Sequence, residues 1–182
     1  MLNALLLVLG VLVPVAYLFY TQMQASAPSM RWPKVARMLK LEYSEDPPTM
    51  QGVWNGKKVA VVHLGTSAKA TALLARRSCL RVEVGPKDLV TKRAGMIVAD
   101  PVETGDPAFD ARLLARCSDK AQGPAIFDPV LRQRLMAQAH VDIVGQEDGV
   151  QWTVPTANDP DQLEGMLEIL GVLATEMERF PA

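Results

Sequence analysis

Residues of this chain that could do chemistry are few and scattered. Asp106 and Asp110 pair up in Gly105-Asp106-Pro107-Ala108-Phe109-Asp110, within a wider acidic set of Asp100, Glu103 and Asp119. Paired carboxylates of this kind can share acid–base work or hold a cation. Asp-Pro and Gly-Asp are also turn formers, and an aspartate there caps the start of a strand. Neither a base partner nor a nucleophile accompanies them, so the turn reading is preferred. A membrane-tethered enzyme using the Asp106/Asp110 region is the alternative, and a membrane-held ligand-binding or signalling domain a further one.

His63 and His140 stand alone, with no second ligand at metal spacing. Cys79 and Cys117 are too few and too distant for a disulfide framework or a metal cluster, and both read as small apolar residues on strands. Gly52 to Lys57 gives G-x-x-x-G-K, one residue short of a phosphate loop and lacking the hydroxyl residue after Lys. Its second glycine sits in a hairpin turn. Gly65-Thr66-Ser67-Ala68 does not fit a nucleophile elbow. These motifs yield no catalytic residue, no metal ligand and no cofactor, and the expected protein is not an enzyme.

The elements around these residues point to binding instead. Leu2 to Tyr20 carries no charged side chain and includes Leu7, Leu12, Pro14, Tyr17 and Tyr20. Extended to Gln22 it would make a helix about 31 Å long, enough for a hydrocarbon core. The n-region lacks Lys and Arg, and Pro28 follows the cleavage-like Ala25-Ser26-Ala27, so an uncleaved anchor over residues 1–23 is expected. Without His, this helix lacks the usual axial ligand for a haem or chlorophyll. Arg31, Lys34, Arg37 and Lys40 follow it with no acid until Glu42. Positive-inside then places the N-terminus outside and the domain in the cytoplasm, at the inner membrane. The same cations, with Trp32, are candidates for headgroup contact.

Beyond a linker over 24–31, residues 32–182 suit one domain, and the expected fold class is α+β: a transmembrane helix, then a mainly antiparallel sheet with two or three packed helices. Asn55-Gly56 between Met50–Trp54 and Lys58–Leu64 is a strong hairpin signal. Strands are expected at 41–43, 70–77, 79–84, 95–98 and 112–117. In the 79–84 strand, Cys79, Arg81 and Glu83 form the wet face. Asp128-Pro129 and Asp159-Pro160 each read as an N-cap followed by Pro at N1. The second opens a helix to about Phe180 with a stripe from Leu163 to Met177. A second hairpin joins 141–144 to 150–154.

Lys and Arg number 19 against 20 Asp and Glu, a net charge of -1, which argues against nucleic acid as a partner. Membrane lipids and other integral membrane subunits are the expected partners. The stretches Leu39–Ser44, Pro48–Gly56, Gly105–Asp110 and Leu131–Leu135 resemble a bacterial single-pass, membrane-anchored family with no assigned activity. In architecture the chain also resembles small accessory subunits of photosynthetic reaction-centre complexes. A plain anchor joined to a compact domain without a reactive site points to a non-catalytic accessory or structural subunit of a larger membrane complex, and the second resemblance implies a photosynthetic one.

Overall fold

The computed structural model describes residues 28–93, 100–155 and 159–182, together with Val15. They form one nine-stranded antiparallel sheet with six helices. In chain order these are α1 (Pro28–Met38), β1 (Glu42–Glu45), β2 (Pro48–Trp54), β3 (Lys57–His63), β4 (Ser67–Leu73), β5 (Val82–Pro86), α2 (Lys87–Lys92), β6 (Asp100–Pro101), α3 (Pro107–Arg112), β7 (Leu113–Cys117), α4 (Gly123–Ile126), α5 (Pro129–Ala137), β8 (Ile143–Gln146), β9 (Gly149–Pro155) and α6 (Pro160–Met177). Across the sheet the strands run β1-β2-β3-β4-β9-β8-β5-β7-β6.

This replaces the expected architecture. No helix among the described residues is long and apolar enough to cross a membrane. The longest, α6, has 18 residues and carries Asp161, Glu164, Glu168 and Glu176. The expected transmembrane fold and single-pass inner-membrane placement are therefore corrected to a nine-stranded sheet with helices. The anchor residues Leu2, Leu7, Leu12, Pro14, Tyr17 and Tyr20 lie outside the described residues, as does the strand expected at 95–98. Residues 28–31, read as linker, belong to α1.

Period-2 alternation explains the core. Met50, Val61, Ala70, Trp152, Ile143, Val84 and Ala115 stand opposite one another across seven strands, and all are buried. Helix α6 lies over β4 and β9 on this face. Small Ala68, Ala70 and Ala72 on β4 let its Leu and Met stripe come close. Helix α1 covers β1 and β2 with Trp32, Val35, Ala36 and Leu39. Buried Trp152 donates its indole N–H to the His140 carbonyl at 3.1 Å, as a buried indole requires.

Local signals set the connections. Asn55 (φ 48°) and Gly56 (φ 81°) make the two-residue turn between β2 and β3. Glu147-Asp148 joins β8 to β9 more tightly than expected, because Gln146 and Gly149 already pair. Asp128 accepts from Leu131 N at 2.7 Å and Asp159 from Asp161 N at 3.1 Å, so both helix starts carry side-chain caps. Helix α1 ends with Lys40 in the left-handed region (φ 56°), and Leu41 N–H reaches back to Ala36 O at 2.8 Å. Such a close satisfies carbonyls left over at a helix end.

Candidate functional site

The sequence placed possible chemistry at Asp106 and Asp110, and both carboxylates serve local structure. Asp106 caps α3, accepting from Ala108 N and Phe109 N, each at 3.1 Å. The expected cap at a strand start is thus the cap of a short helix, with Phe109 buried beneath it. Asp110 accepts the Thr104 hydroxyl at 2.8 Å. Arg132 joins the corner, donating to Thr104 O at 2.7 Å and lying 3.7 Å from Asp106.

The phosphate-loop-like run is also accounted for. Gly52 lies mid-strand under Leu41: a Cβ there would come within 2.9 Å of the Leu41 side chain. Lys57 pairs with Glu178 after α6, and the other Glu178 oxygen accepts from Ala75 N at 2.6 Å. Burial raises the Glu178 carboxyl, but these hydrogen bonds outweigh it and hold the group below its usual range. His63 meets Trp32 edge-on, with centroids 5.8 Å apart. His140 is exposed beyond α5. Cys117 is a buried strand residue whose thiol burial pushes up. Cys79, expected on a strand, is an exposed loop residue instead.

The largest departure from the sequence reading is Glu83. Expected on a wet face, it is 0% exposed on β5. Helix α2 packs on this back face, its Val90 meeting Gly85, and the residue after it, Arg93, bridges two carboxylates. Arg93 Nη1 lies 3.2 Å from Glu83 Oε1, while Nη2 pairs with Asp142. Among the described residues, Glu83 Oε2 and the Nε of its cross-strand neighbour Arg116 have no hydrogen-bond partner. No sequence spacing advertises this cluster, because Glu83 and Asp142 meet only through β5–β8 pairing.

Three surfaces remain for recognition. One is the back of the sheet away from α2. A single cross-strand row runs Ala60, Thr71, Gln151, Val144, Glu83, Arg116, passing from accessible positions at β3, β4 and β9 to the buried one at β5. Beside it Val53 is 64% and Leu73 46% exposed, and they border a shallow groove of about 520 Å³ with Gln51, Lys58, Ala60 and Thr71. A second open cleft of about 500 Å³ at the strand ends is lined by Ser67, Leu89, His140, Asp142 and Val154.

The third surface is α1. Of the residues expected to meet headgroups, Trp32 is 0% exposed in the core, whereas Arg31, Lys34, Arg37 and Lys40 are all exposed.

No protein-family model matches the chain, and no curated protein does. Among solved structures the chain is similar to the crystal structure of the mycobacterial trehalose monomycolate transport factor A. The TM-score is 0.64 at 9% identity, covering 86% of this chain and 97% of that one. The likeness is one of fold. It carries nothing about photosynthetic complexes.

Proposed function

We propose that this protein is a non-catalytic accessory subunit that joins a larger protein complex by binding a partner protein. The observation that carries this reading is the uncovered back face of β2, β3 and β4. There Val53 and Leu73 stay exposed beside a floor of Ala60 and Thr71. An antiparallel sheet commonly keeps one face solvated, but large apolar side chains gathered on that face mark a contact surface. The sheet edges are poorer candidates. Strand β1 is short and carries Glu42 and Glu45, while β6 has two residues, one of them Pro101. Such edges discourage strand addition.

The test is gentle isolation of the full chain through a tag, with partners quantified. A stoichiometric partner is expected with the wild type and is expected to be lost with Thr71→Arg, which leaves the core untouched. Migration of the wild type as a free monomer would overturn the proposal.

A further inference from the structure

Helix α1 divides its residues sharply by charge. At about 100° per residue, its buried Trp32, Val35, Ala36 and Leu39 fall within an arc of about 100°. On the opposite side, Arg31, Lys34 and Arg37 span about 120°, and Lys40 continues the run just past the helix end. These four cations are exposed, and α1 contains no Asp or Glu. Among the described residues, no ion pair joins Lys34, Arg37 or Lys40 to a carboxylate. Arg37 Nε donates within its own helix, to Pro33 O at 3.3 Å. Met38, 59% exposed, is a large apolar side chain on this face. All this sits in a chain whose net charge is only -1.

We propose that the outer face of α1 is a docking surface for an acidic patch on a partner protein, with Lys34, Arg37 and Lys40 as its cationic contacts. The inference rests on the accessory-subunit reading and names the chemistry of the partner's surface.

Two observations favour a protein over a plane of anionic lipid. A helix lying on a bilayer inserts its apolar face among the acyl chains, and the apolar face of α1 is already buried against the sheet. Directly after Lys40 come exposed Glu42, Glu45 and Asp46. A uniformly anionic plane would repel these acids, whereas a protein surface can meet cations with acids and acids with neutral or basic groups. Complementary charge speeds encounter and fixes orientation, and it weakens with salt.

The test uses the full chain in its native cells, with the photo-crosslinking residue p-benzoylphenylalanine replacing Met38. One protein is expected to be captured, with the crosslinked peptide rich in Asp and Glu. Capture should fall at least tenfold when Lys34→Glu and Arg37→Glu are added. Both positions are solvent-exposed, so an unchanged melting temperature is the check that the fold survives. Crosslinking to lipid, to a neutral or basic peptide, or to nothing would overturn the inference, as would capture indifferent to charge reversal. Isolation of the tagged chain separates the two readings. If Thr71→Arg releases a partner that Lys34→Glu/Arg37→Glu retains, the accessory role stands and the α1 surface does not.

Discussion

Arg93 holds Glu83, a fully buried carboxylate on a central strand, while pairing with Asp142 through its other terminal nitrogen. The arrangement ties α2 to β5 and to the chain leading into β8. Removing the cation strands a charge away from water, whereas neutralising the acid leaves Arg93 with Asp142. Arg93→Met is therefore expected to cost about 3 kcal/mol and Glu83→Gln about 1 kcal/mol. Urea unfolding of both variants checks this; equal small losses would refute it.

Glu178 is held below its usual range by Lys57 and the Ala75 amide. A carboxyl depressed on folding binds protons more readily when unfolded. Its stabilisation is thus complete above the ordinary glutamate value of about 4.3 and fades as pH falls through the lower folded value. Thermal melts of wild type and Glu178→Gln should differ most near neutrality and converge as pH falls below the ordinary glutamate range. A gap that widens with acid would exclude the assignment.

Lys40 occupies a left-handed conformation that L side chains disfavour by roughly 1–2 kcal/mol. Lys40→Gly is expected to raise stability by about 1 kcal/mol, whereas Lys40→Ala, which keeps a Cβ there, should bring no gain. Comparing the two variants by denaturant midpoint separates backbone relief from loss of charge.

Two glycines make an opposed pair. A Cβ on Gly145 would meet Val82 Cγ2 at 2.5 Å and Met177 Sδ at 2.6 Å, whereas at Gly171 in α6 nothing lies within 4 Å. Gly145→Ala is expected to cost about 1–3 kcal/mol by overpacking. Gly171→Ala should gain about 0.5–1 kcal/mol, the helix-interior difference between these residues. Calorimetry on both variants tests the sign of each.

Asp106 is read as a cap. Asp106→Ala should then cost about 1 kcal/mol, and Asp106→Asn, which keeps an accepting oxygen, much less. Should Asp106→Asn with Asp110→Asn abolish a measurable turnover while leaving melting unchanged, the Asp106/Asp110 region would be catalytic after all.

Features written into a few adjacent residues were legible from sequence. Asn55-Gly56 fixes its own turn, and Asp-Pro pairs open α5 and α6. Helices α2, α3 and α4, of six, six and four residues, are too short to display a helical period. Trp32 is amphipathic, and only tertiary packing decides between interface and core. The strand expected over 79–84 begins only at Val82, and burial from Val82 to Gly85 is continuous rather than alternating, since α2 and Arg93 cover the face that looked wet. The cationic run on α1 was visible as residues, but its separation from the buried stripe needed the docked helix.

The pairing of β4 with β9 has a consequence for the order of assembly. Strands β1 to β4 can fold as a meander while still being made, yet the free edge of β4 waits for a strand encoded about eighty residues later, and its Ala face waits for α6. Closing that long loop is entropically slow, and an unpaired edge is sticky meanwhile. A chain stopped at Asp148 should therefore be captured by chaperones and cut rapidly by protease, while one extended through Met177 resists. Synthesis of this protein thus carries a window of vulnerability in the middle of its sheet, closed only once β9 and α6 have been made.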